Sequence, residues 1–227
     1  MISIPNTHMK SSKLYKYFPI LALLLFFSTI TPAHTATIRT APTNGLVGYW
    51  SMDTGTINGT KVRDLTNKGG NGTIVGGVTA TRGKLNQGLA FDGSTGYVTA
   101  TTPPGINGSA SITMSAWVYP TVDNGANKDI VSQGNFGAWS TIGFTMRRIS
   151  GSLIECIIGA NGGGTGVYRD SINTVPINKW SHVSCVYNGA TGRLDIYVNT
   201  VVNQGVLVGS VPSSMNTINF PVLIGRE

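Results

Sequence analysis

The chain has 227 residues, which is enough for one large all-β domain or two small ones. Charged residues make up only 11% and there are 30 glycines, a profile typical of short strands joined by many turns, which argues against a helical bundle. The formal net charge is +7, but it falls to +4 from Thr37 onward, where the basic residues are scattered, so the sequence indicates no nucleic-acid partner.

The amino terminus has the pattern of a secretion signal. Three lysines precede the apolar segment Phe18–Ile30, and small residues follow, so that a signal peptidase could cut after Ala33 or after Ala36. An uncleaved membrane anchor is the alternative, but spanning a bilayer takes ~20 apolar residues and this segment is shorter. We therefore expect residues 1–36 to be a signal peptide, and the protein to be secreted or held at the cell surface. Membrane contact would then come only from this segment, if it stays uncleaved.

After a polar linker at 37–45, short segments of alternating polarity predict β-strands in chain order. Segments 88–93 and 96–100 are predicted to pair around the turn between them, and no helical period is present. The predicted strands are 46–52, 73–75, 88–93, 96–100, 111–119, 129–132, 143–147, 152–158, 166–170, 206–208 and 222–224, with a hairpin across 179–199. About a dozen short strands without an internal repeat predict an all-β sandwich or barrel.

The hairpin across 179–199 carries one of two cysteines in the chain. Val183, Cys185 and Tyr187 share one face of its first strand, and a turn rich in Asn and Gly connects the second strand. Cys156 lies in the predicted strand 152–158. If the two strands are neighbours, a cross-strand disulfide between Cys156 and Cys185 is feasible in an oxidising compartment. If they are not, both cysteines are buried thiols.

Several segments, taken together and in order, resemble the laminin G-like jellyroll group of the concanavalin A-like lectin/glucanase superfamily. The segments that carry the resemblance are GLVGYWSMD at 45–53, VRDLTNKGGNGT at 62–73, GLAFDG at 88–93, SITMSAWVY at 111–119, WSHV at 180–183 and LDIYVN at 194–199. The resemblance implies a two-sheet antiparallel β-sandwich of jellyroll type over residues 46–227. In the family a further strand normally follows the one at 222–224, so we expect the sequence to be a fragment that lacks its final strand.

The superfamily includes glycoside hydrolases, but the acid pattern argues against catalysis. Retaining hydrolysis needs two carboxyl groups about 5–5.5 Å apart, and the related enzymes carry a Glu-x-Asp-x-Glu strand that is absent here. Asp170 and Asp195 are interpreted as isolated acids. His182 is interpreted as a structural residue packed beside Trp180, so no catalytic residue is predicted.

Calcium is the only cofactor that the sequence indicates. Loops rich in Asp, Asn and backbone carbonyls suit a hard cation, and the resemblance to calcium-carrying jellyroll modules favours acids near the start of the domain. Asp53 and Asp64 are the predicted ligands. The alternative is that both side chains cap turns.

For binding, an exposed aromatic ring flanked by polar side chains could stack on a sugar. Trp139 and the run Tyr168-Arg169-Asp170 are the candidate residues, whereas Trp50, Trp117 and Trp180 lie in strands and are expected to pack in or against the sandwich. We therefore predict a non-catalytic extracellular module of a larger protein that binds a glycan. A structural or adhesive module with a protein ligand is the alternative, and a hydrolase is the third and disfavoured reading.

Overall fold

The computed structural model describes residues 44–135, 137–161 and 164–226. The predicted signal peptide at 1–36 and nearly all of the predicted linker lie outside these ranges, so neither prediction is tested. The described residues belong to one compact unit.

Short strands make up most of the regular structure, and three 3₁₀ turns at Thr54–Thr56, Trp139–Thr141 and Ser150–Ser152 are the helical elements of the described residues. The strands in chain order are β1 (Ile57–Asn58), β2 (Lys61–Val62), β3 (Gly72–Val75), β4 (Val78–Arg82), β5 (Gln87–Phe91), β6 (Tyr97–Ala100), β7 (Ser111–Val118), β8 (Lys128–Gly134), β9 (Ile142–Arg148), β10 (Ile154–Gly159), β11 (Gly166–Asp170), β12 (Ser181–Asn188), β13 (Arg193–Val198), β14 (Val201–Val202), β15 (Leu207–Val208) and β16 (Val222–Ile224).

The strands form two facing sheets and one small separate ribbon. The large sheet has ten strands in the order β1-β2-β3-β6-β16-β8-β9-β10-β11-β15, and the small sheet has four in the order β14-β13-β12-β7. Strands β4 and β5 pair only with each other. Every strand pairing is antiparallel, so the predicted all-β, two-sheet jellyroll sandwich is confirmed.

The hydrophobic core lies between the ten-stranded sheet and the four-stranded sheet. On β12, Val183, Cys185 and Tyr187 are fully buried and alternate with residues that are half-buried on the other face, as the period of a strand requires. Phe144 and Ile158 from the large sheet meet them in the same core. Burying each such side chain contributes about 1.5–3 kcal/mol to stability.

A disulfide joins Cys156 on β10 to Cys185 on β12. The Cα atoms of the two residues are 6.1 Å apart, and both side chains lie in the core. The bridge is therefore confirmed, but it is not a bond between neighbouring strands of one sheet. It connects the two sheets across the core.

Two strand predictions near the start of the domain are wrong. Residues 46–52 form no strand and join no sheet. Their polar backbone groups bond to a loop: Tyr49 N donates to Asp64 Oδ1, and Leu65 N donates to Tyr49 O. Segments 88–93 and 96–100 do not pair with each other. Strand β5 pairs with β4, which the sequence interpretation missed, while β6 lies between β3 and β16.

Candidate functional site

Strand β11 presents two of the predicted ligand-binding residues on the outer face of the ten-stranded sheet. Val167 is buried in the core, so its neighbours Gly166 and Tyr168 face outward, and Asp170 shares their face two residues further on. Tyr168 and Asp170 are both half-buried. These two side chains lie about 6.6–6.8 Å apart along the strand, given the rise per residue.

Trp139 lies against the same strand, although it is 27 positions earlier in the chain than Gly166. A Cβ atom on Gly166 would lie 2.2 Å from Cε3 of the Trp139 indole, so only glycine lets the ring approach the strand this closely. The backbone of Trp139 is fixed as well, because its carbonyl accepts a hydrogen bond of 2.9 Å from Nδ2 of Asn216. The indole is thus held at the end of β11 where Gly166 and Tyr168 lie.

Arg169 does not share this face. Strand alternation turns it toward the other sheet, where its Nη1 donates to Oε1 of Gln204 at 2.6 Å. Nε2 of Gln204 donates in turn to Oδ1 of Asp195 at 2.7 Å. Arg169 is therefore part of a polar connection between β11 and β13, and the structure separates it from Tyr168 and Asp170.

A row of charged side chains crosses four adjacent strands beside Tyr168. In the strand register, Asp129 on β8 lies opposite Arg147 on β9, Arg147 lies opposite Glu155 on β10, and Glu155 lies opposite Asp170. Nε of Arg147 donates to Oε2 of Glu155. Glu155 therefore has Arg147 on one side and a second acid, Asp170, on the other.

The environment of this row favours the neutral acids. Loss of solvent raises the pKa of Glu155 and of Asp170, and it raises the pKa of Asp129 to about 6, although Arg147 opposes the change in all three. The interpretation of Asp170 as an isolated acid is therefore wrong. Strand register brings it to Glu155, and the linear sequence carried no signal of that register.

Glu155 and Asp170 are neighbours across β10 and β11, and Glu155 is engaged by Arg147, whose Nε donates to Oε2 of Glu155. The row can hydrogen-bond to a polar ligand.

Asp64, one of the predicted calcium ligands, is buried and has both carboxylate oxygens in use. Oδ1 accepts hydrogen bonds from Tyr49 N and Thr66 N, and Oδ2 accepts from the Thr66 hydroxyl and Gly70 N. Desolvation works to raise its pKa, but these hydrogen bonds outweigh it and lower the pKa below its usual value. The carboxylate of Asp53, the other predicted ligand, accepts a hydrogen bond from Gln87 N, and its backbone carbonyl accepts from Thr56.

The surroundings of Asp64 do not fit a calcium ion. A cavity of about 430 Å³ beside the loop is lined by Lys61 and Arg63 as well as by Asp64, and these cations would repel a divalent metal. Among the described residues, no group of three His, Cys, Asp or Glu side chains is placed to hold a metal. Calcium at Asp53 and Asp64 stays a prediction, and a melting temperature unchanged by added calcium would count against it.

Of the three tryptophans that were predicted to lie in strands, Trp117 is in β7, whereas Trp50 and Trp180 lie outside the strands. Trp50 packs against the core, as expected, and its indole donates to Gly70 O at 2.8 Å. Trp117 was expected to pack as well, but 45% of its surface is exposed. The ring of His182 lies against Trp117 and not against Trp180 as predicted. Side chains of β7 alternate between its two faces, and Trp117 lies on the face that does not carry the buried Met114. This alternation could have identified Trp117 as a surface residue.

In the part of the chain that the structure describes, no helix is long and apolar enough to cross a membrane.

Several solved structures share this fold. The binding domain of Paraclostridial Mosquitocidal Protein 1 matches with a TM-score of 0.62 at 16% identity, over 82% of this chain and 45% of that one. The binding domain of botulinum neurotoxin serotype G matches with a TM-score of 0.50 at 15% identity, over 72% of this chain and 45% of that one. This chain thus spans less than half of either toxin binding domain.

A third solved structure is matched over most of its own length. Domain 4 of AbnA, a GH43 extracellular arabinanase from Geobacillus stearothermophilus, in complex with arabinotriose, has a TM-score of 0.51 at 14% identity, over 72% of this chain and 77% of that one. Identities this low show a common fold and no more.

No curated protein sequence matches the chain significantly. The laminin G family model of the concanavalin A-like lectin/glucanases superfamily matches residues 92–227, which is more than half of the chain, and the protein therefore belongs to this superfamily.

Proposed function

We propose that the domain is a non-catalytic extracellular binding module for carbohydrate, and that it binds on the outer face of the ten-stranded sheet. Trp139 and Tyr168 would stack on sugar rings there, while Asp170 would accept a hydrogen bond from a sugar hydroxyl. The observation that carries the proposal is the packing of the Trp139 indole on Gly166, which brings it to the face and the end of β11 where Tyr168 lies.

The chemistry of this surface supports a sugar ligand. Aromatic rings supply flat apolar area at a small cost in side-chain entropy, and polar groups close to them can fix the orientation of a ligand. The row that ends at Asp170 provides both hydrogen-bond donors and acceptors beside Tyr168. Domain 4 of AbnA, with the same fold, is described in complex with arabinotriose, which supports the proposal by analogy of fold alone.

The module is proposed to bind without hydrolysis. Support comes from the sequence, which lacks the Glu-x-Asp-x-Glu strand of the related hydrolases, and from Glu155, which is engaged by Arg147. An extracellular location is supported by the buried disulfide, since disulfides persist mainly in oxidising compartments. We propose that the module is carried by a larger secreted or cell-surface protein.

A glycan array tests this function directly. We expect the protein to bind a subset of glycans, and we expect Trp139→Ala and Tyr168→Ala each to weaken that binding about tenfold, which corresponds to about 1.4 kcal/mol. Tyr49→Ala is the matched control, because Tyr49 is exposed and its side chain takes part in no bond described above. Binding that survives both substitutions, with melting temperatures close to that of the unmodified protein, would refute the proposed site.

A protein ligand is the second candidate, and a different surface favours it. Four apolar side chains are exposed, namely Ile172, Val201, Val202 and Val206. Ile172 lies close to the segment that carries the valines, because its backbone N donates to Oδ1 of Asn203. Exposed apolar patches often mark protein contacts. If this is the functional surface, Val202→Asp would abolish binding to a protein ligand, whereas Tyr168→Ala would leave it unchanged.

A further inference from the structure

Four aromatic rings form a group on the outer face of the four-stranded sheet, away from the core. We call Trp117, Tyr119, Trp180 and His182 the aromatic quartet. The ring centroids of Trp117 and His182 are 5.2 Å apart with planes at 64°, and those of Tyr119 and Trp180 are 5.3 Å apart with planes at 52°. Trp117 is 45% exposed and Tyr119 is 43% exposed.

Strand geometry explains the arrangement. Met114 on β7 and Val183 on β12 are buried in the core. Trp117 is three residues from Met114 and His182 is one residue from Val183, so both rings face outward. The register pairs His182 directly with Trp117. The second ring pair lies at the same end of the two strands, with Tyr119 directly after the last residue of β7 and Trp180 directly before the first residue of β12, so the quartet consists of two neighbouring pairs of rings.

Two lysine side chains lie beside the quartet. Nζ of Lys84, in the turn between β4 and β5, lies 5.2 Å from the centre of the Trp117 ring, and Lys179 is exposed immediately before Trp180. Residues 82–87, 111–119 and 179–188 contain no Asp or Glu. Asp195, an acid on β13, is paired with Arg193. The quartet therefore favours an anionic ligand.

Hydroxyl groups lie next to the rings. Ser115 and Ser184 are paired across β7 and β12, in the register position that follows Trp117 and His182 on the same face. Rings that can stack and hydroxyls that can hydrogen-bond are a combination that suits a sugar chain. A nucleic acid would require a longer stripe of Lys and Arg along its phosphates than the two lysines here provide.

We propose that the aromatic quartet is a second carbohydrate-binding surface, and that its ligand is an acidic polysaccharide. It lies on the opposite sheet from the site of Trp139 and Tyr168 and shares no residue with it, so either site can be present without the other. Sugar rings stack on Trp117 and Trp180, and Lys84 attracts the carboxylate or sulfate groups of the chain.

The test is retention of the protein in native gels that contain alginate, with dextran as the neutral polymer. We expect alginate to retard the protein and dextran not to do so. Trp117→Ala and Trp180→Ala should each weaken retardation at least tenfold, and Lys84→Gln should weaken it several-fold and make it less sensitive to salt. Tyr49→Ala and Lys61→Gln are matched controls and should behave like the unmodified protein.

Each possible result either supports or overturns the inference. Failure of alginate to retard the unmodified protein, or equal retardation by dextran, overturns it. Retardation that survives both tryptophan substitutions overturns it too, as does quartet-dependent binding of poly(dT) in place of alginate. Trp117→Phe, which keeps a ring, should retain most of the binding and excludes a simple folding defect.

The two proposed surfaces are separated by the same experiment. If Tyr168→Ala abolishes glycan binding while Trp117→Ala has no effect, the quartet is not a binding surface and the proposed function stands. If Trp117→Ala abolishes alginate binding while Tyr168→Ala has no effect on any glycan, the quartet stands and the site on β11 does not.

Discussion

At the residue scale, Asp64 connects three separate stretches of backbone. Its carboxylate accepts hydrogen bonds from the amides of Tyr49, Thr66 and Gly70, and its own amide donates to Oδ1 of Asn71 at 2.9 Å. Because these amides belong to segments without a strand partner, Asp64 replaces the hydrogen bonds that a sheet would otherwise supply. Sequence reasoning gave turn capping as the alternative to calcium for this residue, and the hydrogen bonds of the described chain favour capping.

Substitution of Asp64 tests this role. We expect Asp64→Ala to lower the free energy of unfolding by about 2–3 kcal/mol, because it leaves buried amides without acceptors. Asp64→Asn, which keeps Oδ1 as an acceptor, should lose clearly less. Urea denaturation at neutral pH measures both values, and an unchanged midpoint for Asp64→Ala would contradict the role.

The same residue sets a direction for the pH dependence. Since the folded pKa of Asp64 is lowered, its contribution to stability is present above the ordinary value of about 3.9 and is lost as the pH falls through the folded value. Asp64→Asn should therefore make stability less sensitive to acid below about pH 4. If the urea midpoints of the unmodified protein and of Asp64→Asn fell equally as the pH is lowered, the contribution assigned to Asp64 would be contradicted.

Glu155 predicts the opposite trend. Burial raises its pKa, so the contribution of the neutral acid to stability is lost as the pH rises from the ordinary value of 4.5 through the folded pKa. In Glu155→Gln, the amide can still accept from Arg147 and can donate to Asp170. We expect a higher thermal midpoint than the unmodified protein at pH 7 and a difference that shrinks below pH 4; a lower midpoint at pH 7 would contradict the contact.

At the scale of elements, patterns of alternation predicted most of the strands. A strand that buries one face places an apolar residue at every second position, and this pattern is visible in the sequence. Strand β11 begins and ends where predicted, and β12 buries Val183, Cys185 and Tyr187, the three residues predicted to share one face. Segment 46–52 alternates equally well but is not a strand, since alternation reports burial and says nothing about which backbone partner is present.

Pairing between elements could not be predicted from the same patterns. Strand β4 (Val78–Arg82) is almost wholly exposed, so it lacks the apolar face that marks a strand in sequence, yet it is the partner of β5. The contact between Glu155 and Asp170 and the approach of Trp139 to Gly166 depend on such pairings. They became visible only in three dimensions.

The disulfide is the covalent connection between β10 and β12, and its removal should be costly. Cys156 and Cys185 are 29 residues apart, and closing a loop of that length in the unfolded chain contributes about 3–4 kcal/mol. We expect the double substitution to Ala to lower stability by about this amount, with a small further loss from packing. Reducing agent should lower the midpoint of the unmodified protein and leave the double variant unchanged; a midpoint unaffected by full reduction would contradict the bridge.

At the scale of the whole molecule, the sandwich has two outer faces with different chemistry. The ten-stranded sheet carries Tyr168 and a row in which acids predominate, whereas the four-stranded sheet carries the aromatic quartet with lysines around it. The core and the disulfide hold the two sheets together without using either face. The parts of these faces that solvent reaches are the half-buried Tyr168 and Asp170 on the ten-stranded sheet and the exposed Trp117 and Tyr119 beside the four-stranded sheet.

The central claim is that this domain binds carbohydrate and does not cleave it. The most direct measurement is an NMR titration of the isotope-labelled protein with an oligosaccharide selected on the glycan array, in which amide shifts map the contact and sugar signals report cleavage. We predict shifts concentrated on β9 to β11, around Tyr168 and Trp139, with sugar signals that remain unchanged over days. New reducing-end signals, or an absence of shifts on that face at saturating sugar, would contradict the account.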